Sequence, residues 1–261
     1  MAEISKQWFR ALIMNSTQAA ADKEAFAALL HANLVSVRGL RSASVLSGKQ
    51  AALRMRLRAW QAARFERTYA DLLASDRYRR AAQFFLSDLY GPKDFGERDE
   101  ELERFLPALS KILPASAIHT LAVGVELDLL SESLDSAMVQ ALLAAGQSAE
   151  ADISEAAYAK AYRACANRRG REAQIALLMQ IGDAIDALTR KPLLRAAIAL
   201  IKGPAHAAGM GELHDFLDRG FYAFRHMQGA AEFLATIRER ESLILERLFA
   251  RHKAPFDLNR A

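Results

Sequence analysis

Apolar residues recur at three- and four-residue spacing along nearly the whole chain, the period that lines one face of an α-helix. Alanine, leucine and arginine dominate, and glycine and proline are sparse, which favours the same conformation. No alternating run of four to eight residues rich in Val, Ile, Thr or Tyr occurs, and nothing reads as a hairpin turn. The pattern predicts helices over 22–37, 47–75, 77–90, 97–112, 115–145, 154–165, 169–202, 212–228 and 229–250. The expected architecture is all-α: a compact bundle of about eight or nine helices with no sheet. A single domain, 1–261, is expected, of which residues 1–40 could form a semi-independent helical arm.

The breaks between these segments have local causes. Ser47 is placed to cap a helix, and Asp76 marks a short interruption. Gly91-Pro92 should end the helix before it, because proline lacks an N–H and pushes its predecessor out of helical geometry. Pro114 suits the first turn of a long helix. Gly203-Pro204 and Gly209-Met210-Gly211 are expected to break the C-terminal half twice. No period of 20 to 50 residues suggests a repeat array.

Composition narrows the class. With 261 residues, 52% hydrophobic and 25% charged, the chain can bury a sizeable core. The opening MAEISKQWF lacks the basic flank and apolar core of a signal peptide, and no apolar run reaches the roughly 18 residues of a membrane span. One cysteine, Cys165, excludes an intrachain disulfide and a thiolate zinc cluster. A cytoplasmic location without membrane contact is expected.

The net charge of +4 hides an asymmetry. Between Arg38 and Arg80 eleven basic residues face three acids, whereas between Glu97 and Glu155 twelve acids face three bases. Opposite surpluses in one compact domain lower their energy by lying together, so pairing at a seam is the preferred reading. A basic groove for nucleic acid through Lys49 to Arg67 is the other, and the balance argues against it.

The least generic segment is FFLSDLYGPKDF, Phe84 to Phe95, followed downstream by ELDLLSESLD, Glu126 to Asp135. Together these resemble an uncharacterised family of soluble bacterial helical proteins, a resemblance that implies the fold but no activity. Phe84, Phe85, Leu89 and Phe95 should be buried against the helix around Leu121 to Leu134. Asp88, in a last helical turn, opposes the macrodipole and needs a cation, with Arg98 or Lys93 nearest in sequence. On the long helix, Val125, Asp128, Glu132 and Asp135 share one stripe beside that of His119 and Glu126, read as a solvated acidic face turned toward arginines. The Glu-x-x-His pairs of carboxylate-bridged di-iron bundles are missing, so no metal ligand set is assigned. From His206 to His226, the small residues at the start favour close helix packing over a phosphate site at a fresh N-terminus near Gly211.

The candidate pocket rim is therefore Asp88, Tyr90, Asp94, Arg98, His119, Glu126, His214 and Tyr222, with catalytic residues and cofactors unknown. The leading expectation is a binding or regulatory module with a partly polar groove, taking a small molecule or protein partner. Its rivals are a helical enzyme acting on a metal-bound or phosphorylated small molecule through these carboxylates and histidines, and an accessory nucleic-acid-binding protein.

Overall fold

A computed structural model describes residues 2–41, 47–89 and 96–258, with backbone alone for 2–19, 89, 192, 193 and 197. It is 83% helical, without strand among the described residues. The elements are α1 (Ala2–Arg41), α2 (Gly48–Thr68), α3 (Ala70–Ala74), α4 (Arg79–Phe84), a π-helical turn (Phe85–Leu89), α5 (Gly96–Ile112), α6 (Ala115–Ala144), α7 (Glu155–Ala164), α8 (Arg168–Thr189), α9 (Pro192–Ala207), α10 (Gly211–Met227) and α11 (Ala231–Phe249). None of them is long and apolar enough to cross a membrane.

Two expected helices are each divided, at Tyr69 and at Arg190-Lys191, where Pro192 opens α9 in its first turn. Ser47 caps α2 in a reciprocal capping box with Gln50. The expected break at Gly203-Pro204 does not occur, and α9 runs through it to Ala207. Pro204 leaves the carbonyl one turn earlier without its helical donor, but Leu200 at that position is 82% exposed, so water replaces the lost bond.

α6 is the central element. Its buried residues, from Ala117 through Val125, Leu127 and Leu134 to Leu142, occupy most of its circumference, the signature of a helix enclosed by others. It touches α1, α2, α5, α7 and α8 and contributes to all three hydrophobic cores. One core gathers α3, α4, α8, α10 and α11 around Phe224 and Phe233, and a second joins α2, α7 and α11 around Leu57 and Met138. In the third, Leu30, Leu34 and Val37 of α1 pack with α5 and α6. Phe84 and Phe85 are buried in the first core with Val123 and Leu127 of α6, as expected; Phe85 stands edge-on to Phe233 at 5.5 Å. The side chain of Leu89, and all of Tyr90 to Phe95, lie outside the described residues.

Close approach fixes two glycines. A Cβ on Gly220 would stand 2.8 Å from the Phe84 ring, and one on Gly182 in α8 would stand 2.3 Å from a Leu234 methyl of α11. Gly124 of α6, in contrast, has nothing within 4 Å of an added Cβ. Gly182→Ala should therefore lose about 1 to 3 kcal/mol by overpacking, while Gly124→Ala should gain roughly 0.5 to 1 kcal/mol from helix propensity. Urea titration of the two variants reads the difference, and equal effects would contradict the packing described.

Candidate functional site

The charged stripe of α6 is buried rather than solvated. Glu132 is 3% exposed and Asp135 8%. The correction follows from the position of α6: other helices cover most of its circumference, this stripe included. On α2, Arg54, Arg58, Gln61 and Arg64 recur at three- and four-residue spacing and run along this stripe. Glu132 accepts from Arg41 Nε and Arg54 Nη1, each at 2.9 Å, and from Arg58. Arg41 also binds Asp99 and reaches Asp128 at 2.6 Å, while Arg98 donates to Asp99 at 2.9 Å. Burial works against the Arg41 cation, yet Asp128, Glu132 and Asp99 hold it charged beyond its usual range. Burial pushes the Asp128 carboxyl up, and Arg41 and Arg98 offset that only in part.

The preferred reading of the charge blocks is thereby met at the level of contacts: Arg38, Arg41, Arg54, Arg56, Arg58 and Arg67 all form ion pairs with acids between Glu97 and Glu155. Glu132, taken up by three guanidinium groups, is a poor metal ligand.

Further along the stripe, Asp135 accepts from Gln61 at 3.0 Å and lines a polar chamber of about 70 Å³ with Arg64, Tyr158, Tyr162, Arg171 and Glu241. Burial pushes the Asp135 carboxyl up, against the pull of Arg171.

A larger space, about 230 Å³, lies among α5, α6, α8, α9 and α10. Leu109, Leu121, Val125, Ile185, Ile198 and Phe216 are among its apolar walls, and Arg98, Asp99, Asp128 and Ser131 form its polar end. There Asp128 Oδ2 is buried without a hydrogen-bond donor, 3.5 Å from Arg98 Nη2. Ser131 lines both this cavity and the polar chamber and accepts from Gln174 at 2.8 Å.

The residues of the expected pocket rim are dispersed. Arg98 lines the cavity; the other described ones do not. Asp88 is buried, and Arg219 of α10 binds it through Nε at 3.0 Å and Nη2 at 2.6 Å, while the expected Arg98 pairs with Asp99 and Lys93 lies outside the described residues. The π-helical turn aims Asp88 across the core, where sequence proximity counts for nothing. His119 packs against Phe26, Glu126 is exposed, and Tyr222 is exposed with Arg80 over its ring. His214 is buried, with Nε2 at 2.9 Å from the carbonyl of Ile198. Tyr90 and Asp94 lie outside the described residues. The N-terminus of α10 is already served: buried Glu101 of α5 accepts from the Leu213 N–H at 2.8 Å. Sequence reading put Arg41 and Asp99 in the two pairing blocks without matching them to each other, and it missed the cavity.

Residues 42–255 match a family described as a domain of unknown function, DUF8198, and the chain belongs to that family. No curated protein and no solved structure matches the chain. α1 precedes the matched span, although its Arg41 closes the charge cluster.

Glu132→Gln should cost about 3 to 5 kcal/mol, because it strips a buried charge from three guanidinium groups at once. Asp135→Asn should behave oppositely. Its folded carboxyl is raised, so the stabilising contribution of the neutral form is complete below the ordinary carboxylate range and lost as pH rises through the raised value. The variant should match the wild type in acid and become the more stable of the two toward neutral pH. Denaturant titration at several pH values checks both; a Glu132→Gln loss below 1 kcal/mol would show the cluster to be dispensable.

Proposed function

We propose that the protein is a binding module for a small, largely apolar molecule carrying one hydroxyl or carboxyl end, held in the cavity between α5, α6, α8, α9 and α10. The cavity itself carries this reading. It offers about 230 Å³ of largely apolar space that is partly open to solvent. It exceeds the roughly 150 Å³ that accommodates benzene in an engineered protein core. Apolar walls with a few convergent polar groups are the usual make-up of a small-molecule site.

The polar end favours a hydrogen-bond donor. Asp128 Oδ2 has no donor, and a ligand hydroxyl or protonated acid would supply one while Arg98 accommodates the oxygen. Pairing of the arginine block with the acidic block supports a small-molecule ligand over nucleic acid. The single cysteine, whose thiol is pushed up by burial and is thus poorly nucleophilic, supports a structural role for that residue and a reducing, cytoplasmic compartment.

Gly124 lines the cavity with open space beyond its Cα, so Gly124→Leu should fill the cavity without a clash. Decanol should displace an apolar fluorescent dye from the wild type, more tightly than decane does. The variant should bind decanol at least tenfold more weakly and melt higher. Failure of decanol to bind, or undiminished affinity in the variant, would sink the reading.

A further inference from the structure

Three groups meet where α9 ends and α10 begins. His206 lies in the last turn of α9, and His214 and Asp215 lie in the first turns of α10. Gly209, at φ +75°, makes the connecting turn in the left-handed region. Gly211 then leaves room for the His206 ring, whose Nδ1 would stand 3.2 Å from a Cβ there. The small residues of this connection thus seat a histidine.

His206 Nε2 lies 3.0 Å from Asp215 Oδ1, and His214 Nδ1 lies 3.4 Å from the same oxygen. The second contact involves the ring nitrogen that the backbone leaves free. A carbonyl only accepts, so the 2.9 Å contact between His214 Nε2 and the Ile198 carbonyl requires the proton to be on Nε2. Nδ1 of this side chain, which is 3% exposed, is then the nitrogen left to meet the carboxylate, and either a second ring proton or a metal ion can stand between the two. Lys202 acts on Asp215 too, but its charge does not enter the contact between Nδ1 and Oδ1.

We propose that His206, His214 and Asp215 form a binding site for a divalent transition-metal ion of the zinc class. The ligand atoms all lie within 4.8 Å of one another. Donors about 2.1 Å from a tetrahedral ion stand about 3.4 Å apart, and the two separations to Asp215 fall at or just below that. Two imidazoles and one carboxylate suit zinc, cobalt or iron better than magnesium or calcium. The Ile198 carbonyl performs the orienting task that a metal-bound imidazole requires of its other nitrogen. Side-chain exposures of 42% for His206 and 38% for Asp215 leave the outer side open for a water ligand. The ion would tie α9 to α10, two walls of the apolar cavity.

The test is calorimetric titration of untagged, chelator-treated protein with Zn(II), and with Co(II) followed by visible absorption. One equivalent should bind, with the intense d–d bands of a tetrahedral cobalt site. His206→Ala and Asp215→Asn, each at a partly exposed position, should retain the helical circular dichroism spectrum and lose at least tenfold in affinity. Absence of saturable binding in the wild type overturns the proposal, as does binding that both variants leave unchanged. A wild-type His214 ring carrying protons on both nitrogens in the presence of excess zinc, seen by nitrogen-15 NMR, would overturn it as well.

Discussion

Glu132 sits in the middle of the central helix under three guanidinium groups, and the arrangement of α1, α2 and α6 depends on that contact. A carboxylate taken into a low-dielectric interior is tolerable only when charge and hydrogen bonds replace its lost water. Arg54 and Arg58, one turn apart on α2, can both reach Glu132 in only one register of α2 against α6. Arg41 adds α1 to the same anchor and extends it to Asp99 of α5. Apolar contacts supply most of the favourable free energy here, as in any helical protein. They are non-directional, however, and a helix that is apolar around most of its circumference could settle in several rotations. The buried charges remove that freedom, because every alternative rotation leaves ions unpaired.

This constraint also explains the cavity. The charge cluster fixes α5 and α6 at the end marked by Arg98, Asp99 and Asp128, while Glu101 of α5 binds the first turn of α10. α9 and α10, joined through a tight turn, close over the space between. Polar contacts hold one end, and the apolar side chains of the five helices line the space without filling it. Gly124, which lines the space with nothing within 4 Å of an added Cβ, contributes no side chain to fill it.

The fold class was legible because its signal is repeated in every turn of every helix. The seam between basic and acidic blocks was legible too, because the imbalance on each side is large. What could not be read was depth. Asp128, Glu132 and Asp135 have the spacing of an exposed stripe as much as of a buried one, and burial depends on which helices surround α6, a fact distributed over the whole chain. The matching ladder at Arg54, Arg58, Gln61 and Arg64 was present in the sequence, and pairing two complementary ladders is the inference that would have found it. Asp88 shows the same difficulty at single-residue scale. Its need for a cation was visible, but Arg219 stands 131 positions away.

Pro204 and Glu101 show where local rules yield to context. Proline in a helix is disruptive when the orphaned carbonyl is buried; on the exposed side of α9 solvent takes the place of the missing donor, and the helix continues. A helix N-terminus attracts anions, and at α10 the anion is the protein's own Glu101. Each rule is physically sound, and each outcome is decided by the identity of the group that arrives first at the unsatisfied atom. The same reasoning singles out two places where a group from outside would supply a partner: Asp128 Oδ2 at the end of the apolar cavity, and the contact between His214 and Asp215. Among the described residues Asn33 Nδ2, Arg54 Nε, Arg64 Nε and Ser110 Oγ are likewise buried without a partner, but of the five residues only Asp128 lines the space of about 230 Å³, where a ligand has room to bind it.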